Sequence, residues 1–244
     1  MILLDDNFVT IVKAVKKGRK IYDNIRKFVK YTMTSNSGEI WTVGLAPFLG
    51  LPLPLLPVHI LWINLVTDGL PGITLSGEPA EKDVMQRPPR HPKESIFAHG
   101  LGIHIIWVGL LMGAVSLFTQ ALALKYNMHW QTMVFSVLCL SQLGNVLAIR
   151  SEKESLFKIG LFSNKGVFFS VIFSVFLQLA IIYCPFLNKV FHTQPLSLRE
   201  LFITFALSSI VFIAVEIEKL IKRRFFVSSV KSYGQVLEVQ VYGK

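Results

Sequence analysis

The stretch that decides the fold runs from residue 36 to residue 68 and reads NSGEIWTVGLAPFLGLPLPLLPVHILWINLVTD. Two apolar segments flank a proline-rich turn at 51–57. Polar side chains interrupt both segments, and they are Asn36, Glu39, Asn64, Thr67 and Asp68. The first two are spaced i, i+3 and the last three i, i+3, i+4, so each group shares one helix face. Because a mid-bilayer carboxylate costs about 2.5–3.5 kcal/mol on insertion scales, a hairpin that holds two of them either is not a membrane hairpin or is built to hold a cation.

The composition is typical of a membrane protein. Of the 244 residues, 52% are hydrophobic and only 16% are charged, whereas a soluble domain is about a quarter charged. The mean hydropathy is +0.52. The net charge of +10 comes from basic residues clustered near the ends of apolar segments, which follows the positive-inside rule and disfavours nucleic-acid binding. Asp5 and Asp6 precede any apolar region of signal length, which argues against a secretory signal.

A single long helix is predicted to lead into the membrane. Residues 11–30 are basic and amphipathic, and they run without a breaker into the apolar segment Tyr31–Leu49. From Val12 to Glu39 such a helix spans about 40 Å, long enough to carry force from a soluble domain to a buried site. Upstream, Ile2–Leu4 resembles the end of a buried strand, and residues 5–7 resemble a helix start.

The fold class predicted is an all-α membrane protein, a bundle of six transmembrane helices with a cytosolic stalk helix leading into the first. Each segment is about long enough to cross the hydrocarbon core. The segments are Tyr31–Leu49, Leu55–Leu75, Phe97–Leu124, Trp130–Ile149, Gly166–Tyr183 and Leu198–Ile221. With both termini cytosolic, most basic residues fall on one side. The lipid bilayer is therefore an expected partner, and short loops fit a bacterial plasma membrane.

Three further features of the pattern are informative. Gly69, Pro71 and Gly72 follow Asp68, which predicts a break in the helix that frees carbonyl oxygens for cation coordination; a simple packing kink is the alternative. The loop at 76–96 is polar and proline-rich, and is expected in the cytosol. In the tail at 225–244, apolar and polar residues alternate weakly, which is a pattern typical of a strand. We nevertheless expect a poorly ordered cytosolic tail.

The polar side chains in the spans favour a hard cation. Ca²⁺ takes six to eight oxygen ligands, and Gln142 adds an amide oxygen in the fourth span, with Asn145 one turn further along. We expect no sulfur or imidazole in this group, because His59 is placed at the external mouth and His104 is alone in its span, so soft metals are disfavoured. Interhelical hydrogen bonding without an ion is the alternative. Both cysteines, Cys139 and Cys184, are interpreted as small buried hydrophobic residues.

Four motifs, in this order and at this spacing, carry a resemblance to a known family. They are DDNFVTIVKAVKKGRKIYDNIRKFVKY, TSNSGE, LWINLVTDGLP and DVMQRPPR. The chain resembles the C-terminal membrane part of a type II P-type ATPase, and within that group the calcium pumps, over about residues 1–222. The resemblance implies the fifth to tenth transmembrane helices of such a pump, with the fifth continuous with a stalk.

The resemblance also implies roles for individual residues. Asn36 and Glu39 match cation ligands of the family's fifth helix, and Asn64, Thr67 and Asp68 match ligands of its sixth. Gln142 stands where two-site calcium pumps have a glutamate in the eighth helix, a departure that leaves the number of calcium sites open. The cation ligand set predicted for this chain is Asn36, Glu39, Asn64, Thr67, Asp68 and Gln142, with no catalytic residue.

Several motifs of the family are absent from the sequence: D-K-T-G, T-G-E and G-D-G-x-N-D. We therefore expect a fragment that acts with the missing N-terminal, phosphorylation and nucleotide domains, and with ATP and Mg²⁺ only through them. The predicted divisions are 1–10, a remnant of the phosphorylation domain; 11–30, the stalk; 31–222, the transport domain; and 223–244, the tail.

The function expected is cation binding and translocation for an ATP-driven pump, with Ca²⁺ as the ion. Na⁺, H⁺ and Mn²⁺ remain open as alternative ions. A rival from another class is a standalone six-span membrane protein, acting either as a passive cation pathway or as a non-catalytic pump subunit.

Overall fold

The structure, a computed structural model, describes residues 8–81, 83–91, 93–98, 100–151 and 154–242, with only the backbone for 224–242. Every regular element in these ranges is helical. The helices are α1 Phe8–Leu45, α2 Pro57–Leu75, α3 Leu101–Lys125, α4 Trp130–Ala148, α5 Leu156–Ile159, α6 Lys165–Tyr183, α7 Pro185–Phe191 and α8 Leu198–Tyr242, with single 3₁₀ turns at Pro47–Leu49 and Leu161–Ser163. The all-α prediction is confirmed.

Within the part of the chain that the structure describes, five helices are long and apolar enough to cross a membrane: α2, α3, α4, α6 and the Leu198–Arg223 part of α8. The sixth predicted span, 31–49, falls in the second half of α1, where residues such as Asn36 and Glu39 lower the hydropathy. That half of α1 packs mainly along α3. The chain is therefore a multi-pass membrane protein, and its described residues form five apolar spans and one long N-terminal helix.

The long N-terminal helix is confirmed, since α1 continues from Phe8 to Leu45 without interruption. It ends where Pro47 begins a 3₁₀ turn, which closes on Gly50 at a φ of +69°, a conformation that glycine adopts without steric cost. The chain then runs extended, and Pro57 starts α2 at a first-turn position, where its missing N–H costs nothing.

The predicted break in α2 takes another form. The helix continues past Asp68 to Leu75, and the irregularity is a wider π-helical turn at Ile63–Asp68. Pro71 has no N–H to offer the carbonyl of Thr67 four residues earlier. The hydroxyl of Tyr31 donates to that carbonyl instead, at 2.7 Å. The freed oxygen therefore has a hydrogen-bond donor within the protein. Because a carbonyl oxygen has two lone pairs, its coordination of a cation stays a prediction.

Close contact between α1 and α3 depends on two glycines one turn apart. A Cβ added to Gly109 would lie 2.2 Å from Ser37 Oγ, and one added to Gly113 would lie 2.7 Å from Trp41 Cβ. Small residues at i, i+4 let membrane helices approach this closely and gain van der Waals contact. This seam turns the opposite face of α1, which carries Glu39, toward α2 and α4.

The α4 helix is the centre of the bundle. Of its most apolar window, 78% is buried inside the protein, against 28% for α6 and 33% for α8. Its side chains Val134, Phe135 and Leu138 are fully buried, and they join one core cluster with residues from α1, α2 and α8. A polar side chain on α4, such as Gln142, therefore faces protein rather than lipid.

One end of the bundle, here called the basic end, carries the loops 76–100 and 149–164. Its first loop is bound to α1: Arg19 donates to the Val84 carbonyl at 2.9 Å, and Lys27 pairs with Glu81 at 3.2 Å. Asn24 donates from the same helix to the main chain of this loop at Glu78, also at 2.9 Å. The sequence pattern did not predict these contacts between the stalk and the loop.

Two expectations concern the chain ends. The strand end at Ile2–Leu4 lies outside the described residues. The backbone of α8 extends to Tyr242 and forms no strand in the described part of the tail, while the expectation that the tail is poorly ordered stays a prediction.

The close α1–α3 seam predicts opposite effects for two glycine substitutions in α3. Gly113→Ala should destabilise the protein by about 1–3 kcal/mol, because the new methyl group overpacks against Trp41. Gly102→Ala is the control, since a Cβ there meets nothing within 4 Å, and it should be neutral or stabilising by up to about 1 kcal/mol. Unfolding midpoints in detergent measure both, and equal midpoints for the two variants would contradict the seam.

The Tyr31 hydrogen bond predicts a cost for removing a single oxygen atom. Tyr31→Phe leaves the buried Thr67 carbonyl without a donor, and should lower the free energy of unfolding by about 1–3 kcal/mol. Tyr126, which is 57% exposed, provides the matched control, and Tyr126→Phe should change stability by less than about 0.5 kcal/mol. An unchanged unfolding midpoint for Tyr31→Phe would show that this bond is not needed.

Candidate cation site

Three helices bring polar side chains together around the Glu39 carboxylate. Asn64 of α2 donates from Nδ2 to Glu39 Oε2 at 3.1 Å, and Gln142 of α4 donates from Nε2 to Glu39 Oε1 at 3.4 Å. Glu39 is 6% exposed and Gln142 is fully buried, while Asn64 lies on the outer surface of the bundle. Three of the six predicted ligands, from widely separated parts of the sequence, are therefore in direct contact.

The two amides around Glu39 have a second possible orientation. Each now presents its NH₂ group, which donates to the carboxylate. Because a side-chain amide carries donors on one side and an acceptor oxygen on the other, a half-turn of the last side-chain bond presents oxygen instead. Gln142 Oε1 has no hydrogen-bond partner among the described residues. The same residues can therefore offer a group of oxygens to a cation near Glu39.

Asp68 lies in the π turn and is 3% exposed. In the part of the chain that the structure describes, neither carboxylate oxygen has a hydrogen-bond partner. Tyr31 and Ser35 of α1 face it, but the Tyr31 hydroxyl is used by the Thr67 carbonyl and Ser35 Oγ is also without a partner. An unpaired buried carboxylate is costly, and a bound cation is one way to offset that cost.

The remaining two predicted ligands differ in their surroundings. Thr67 is buried beside Asp68 at 2% exposure, within the same π turn. Asn36 is half-buried on α1, one turn before Glu39, and no hydrogen bond between described residues joins it to the other five. The structure thus places five of the predicted ligands on the π turn or around Glu39, and Asn36 beside them on the same helix face.

The expected absence of sulfur is wrong, because the Cys139 thiol of α4 is fully buried and lies beside the Thr67 side chain. Cys184, expected to be buried, is exposed at the junction of α6 and α7. Among the described residues no group of three or more His, Cys, Asp or Glu side chains is arranged to hold a metal ion. The donors at this site are therefore two carboxylates supplemented by amide and hydroxyl oxygens.

Both histidines discussed above have structural partners. His59 is fully buried, and its ring stacks on Phe135 at 4.3 Å. Its Nε2 contacts the Phe191 carbonyl at 2.7 Å, and its Nδ1 accepts from a main-chain N–H, so neither nitrogen is free to bind metal. His104 pairs with Glu218 of α8 at 2.7 Å.

Sequence reasoning missed two buried polar residues near this site, Tyr31 and Ser35 of the first helix. Asn145, noted in the sequence one turn beyond Gln142, is fully buried, and both of its amide atoms are without a partner among the described residues. One signal was available for Tyr31: Pro71 lies four residues after Thr67 and leaves a carbonyl that must find a donor. Nothing in the local pattern identifies the donor.

Comparison with known proteins assigns the family. A family model described as "Cation transporting ATPase, C-terminus" matches residues 52–221. The chain is 42% identical over 214 residues to the "Calcium-transporting ATPase" of Bacillus subtilis (strain 168), covering 86% of this chain and 24% of that protein. It is 39% identical over 242 residues to "Calcium-transporting ATPase 1" of Bacillus cereus (strain ATCC 10987 / NRS 248), covering 91% and 27%.

A human protein is also similar. The chain is 37% identical over 226 residues to "Calcium-transporting ATPase type 2C member 1" of Homo sapiens, covering 91% of this chain and 25% of that protein. The chain spans about a quarter of the length of these curated relatives. It belongs to the family of the cation-transporting ATPase C-terminus, the C-terminal membrane region of type II P-type calcium ATPases.

Proposed function

We propose that this chain binds and translocates Ca²⁺ in the membrane as part of an ATP-driven pump. The observation that carries the proposal is Asp68, a buried carboxylate without a hydrogen-bond partner among the described residues. It lies one turn from Asn64, which contacts the second carboxylate, Glu39. Burying two carboxylates in an apolar bundle is energetically unfavourable unless they bind a cation.

The chemistry of the donors supports a hard divalent cation. Glu39 and Asp68 together balance the charge of one Ca²⁺, and Ca²⁺ accepts six to eight oxygen ligands at variable geometry. The further oxygens come from neutral side chains, and these are Asn36, Asn64, Thr67 and Gln142. The names of the relatives, which are calcium-transporting ATPases, point to the same ion.

Energy for transport is proposed to come from outside this chain. In this proposal ATP and Mg²⁺ act in the phosphorylation and nucleotide domains of the same pump. Residues 1–10 belong to the phosphorylation domain. Because α1 is one continuous helix from Phe8 to Leu45, a displacement of its first half reaches Glu39 directly. The contact between Glu39 and α2 then opens or closes the site, with the basic end and both termini in the cytosol of a bacterial plasma membrane.

The proposal predicts the effect of Asp68→Asn on calcium binding. Equilibrium binding of ⁴⁵Ca²⁺ to the purified chain in lipid nanodiscs should be saturable, and Asp68→Asn should weaken it at least about 100-fold. Even partners outside the ligand shell cost a metal site about 10–100-fold, and this substitution removes a ligand's charge. Asp83→Asn is the matched control, because Asp83 pairs with Arg87 in the loop at the basic end, and it should bind like wild type.

A graft tests coupling to ATP. The matched segment of the Bacillus subtilis calcium-transporting ATPase is replaced by this chain, and phosphoenzyme formed from ATP is measured against Ca²⁺ concentration. The wild-type graft should form phosphoenzyme only with Ca²⁺, and the Asp68→Asn graft should form none. Normal phosphoenzyme in the Asp68→Asn graft at low micromolar Ca²⁺ would overturn the site assignment. Calcium leakage through liposomes that contain only this chain would favour the passive pathway instead.

Competition experiments test the identity of the ion. Na⁺, Mn²⁺ and acid pH are each titrated against bound ⁴⁵Ca²⁺ on the wild-type chain. If Ca²⁺ is the transported ion, unlabelled Ca²⁺ should displace the bound ⁴⁵Ca²⁺ at lower concentrations than Mn²⁺ or Na⁺ does. Displacement by Mn²⁺ at lower concentrations than by unlabelled Ca²⁺ would identify Mn²⁺ as the preferred ion.

A further inference from the structure

A buried ion pair at the basic end joins two loops that are distant in sequence. The Arg150 guanidinium contacts the Glu78 carboxylate through Nη2 at 3.0 Å and through Nε at 3.2 Å. The exposed fractions of the two side chains are 0% and 3%. Such a pair is poorly screened by water, so its geometry is strongly constrained.

Every remaining polar group around this pair is also satisfied. Arg150 Nη1 donates to the carbonyls of Gly160 and Leu161, at 3.3 and 3.0 Å, and Nη2 donates to the Ser163 hydroxyl. Asn164 donates to Glu78 Oε2 at 2.9 Å. The pair is thus a hub of directed bonds, which fixes a position more effectively than apolar contact does.

The carboxylate in this hub belongs to the end of the helix that carries the cation ligands. Glu78 follows the last residue of α2, Leu75, by one turn. A short regular helix, Gly69–Leu75, connects the π turn to the segment that carries Glu78. The Thr74 carbonyl of this helix also accepts a hydrogen bond from Asn164 at 3.3 Å. A single helical segment that is fixed at one end transmits its rotation and depth to the other end, where Asp68 lies.

On the other side of this segment lies the π turn at Ile63–Asp68, a hydrogen-bond pattern that is rare in proteins and frequent at functional sites. The proposed cation ligands of α2 therefore lie in a π turn that joins directly onto the fixed segment. The position of that fixed segment depends on its hub at Glu78.

We propose that Glu78 is a positioning residue for the cation site: its ion pair with Arg150 holds the basic end of α2 against α4 and α6, and so sets the depth and rotation of Thr67 and Asp68. This inference rests on the proposed function, because it assumes that Asp68 binds the cation. Glu78 lies ten residues from Asp68 and acts on it only through α2. The proposal assigns a role in transport to a pair that is too far along the helix to be a ligand.

The chain contains a natural reporter for this test. Its two cysteines differ in exposure, with Cys139 fully buried beside Thr67 and Cys184 exposed at the far end of the bundle. The rate at which N-ethylmaleimide modifies Cys139 measures opening of the helices around the π turn. Modification of Cys184 in the same sample serves as the internal control, and mass spectrometry separates the two.

Two variants remove the hub in different ways. Glu78→Gln keeps the acceptor for Arg150 but removes the charge. The double variant Glu78→Leu with Arg150→Met replaces the pair by apolar groups, which avoids leaving an unpaired buried charge and preserves folding. Both leave the main-chain bond from Asn24 to Glu78 in place. Glu81→Gln is the matched control, because it weakens another ion pair of the same loop, with Lys27.

We expect both hub variants to raise the modification rate of Cys139 about tenfold, with Cys184 unchanged. They should also raise the half-saturating concentration of ⁴⁵Ca²⁺ about tenfold without changing the amount bound at saturation. Glu81→Gln should leave both measurements at the wild-type value. A purely structural role for the hub would lower the unfolding midpoint alone.

The two proposals fail separately. Wild-type modification rates at Cys139 in both hub variants would overturn the positioning role, whatever the calcium data show. If the wild-type chain binds no Ca²⁺ while Asp68→Asn behaves identically, the proposed function fails, and the Cys139 rates alone then decide whether Glu78 positions the π turn.

Discussion

Burying a carboxylate without a hydrogen-bond donor is among the most costly arrangements in an apolar bundle, and among the described residues Asp68 has no such donor. The nearby Tyr31 hydroxyl is directed at a backbone carbonyl instead. Glu39, by contrast, receives hydrogen bonds from two amides. The bundle thus supplies donors to one acid and, among the described residues, none to the other, and in the proposed pump a bound cation would be the partner of the second acid.

The backbone is subject to the same rule as the side chains. Within a bundle that excludes water, each carbonyl needs a donor, and Pro71 removes one. The Tyr31 bond that replaces it ties α1 to α2 at the π turn. The glycine seam with α3 then fixes the other face of α1. The first helix is therefore held between a polar contact on one side and close van der Waals contact on the other.

The helical spans, and the polar side chains that lie near one another within them, could be predicted, since runs of apolar residues and the acids that interrupt them are strong local signals. The regular spans α3, α4 and α6 agree with their predicted bounds to within a few residues. The local pattern did not reveal the π turn, the donor to Thr67, the thiol of Cys139 or the pair between Glu78 and Arg150. Each depends on contacts between residues many positions apart, which periodicity does not encode. Cys184 was misjudged because an apolar neighbourhood in sequence does not show on which side of a helix end a residue lies.

The unequal burial of the helices has a consequence for how such a sequence can change over time. Most side chains of the α4 helix are buried inside the protein, and several of them belong to the core cluster shared with neighbouring helices. Most of the α6 surface faces outward, where one apolar residue serves as well as another. Divergence should therefore be rapid and nearly neutral along α6. Along α4, a change at one position should require a compensating change on a neighbouring helix.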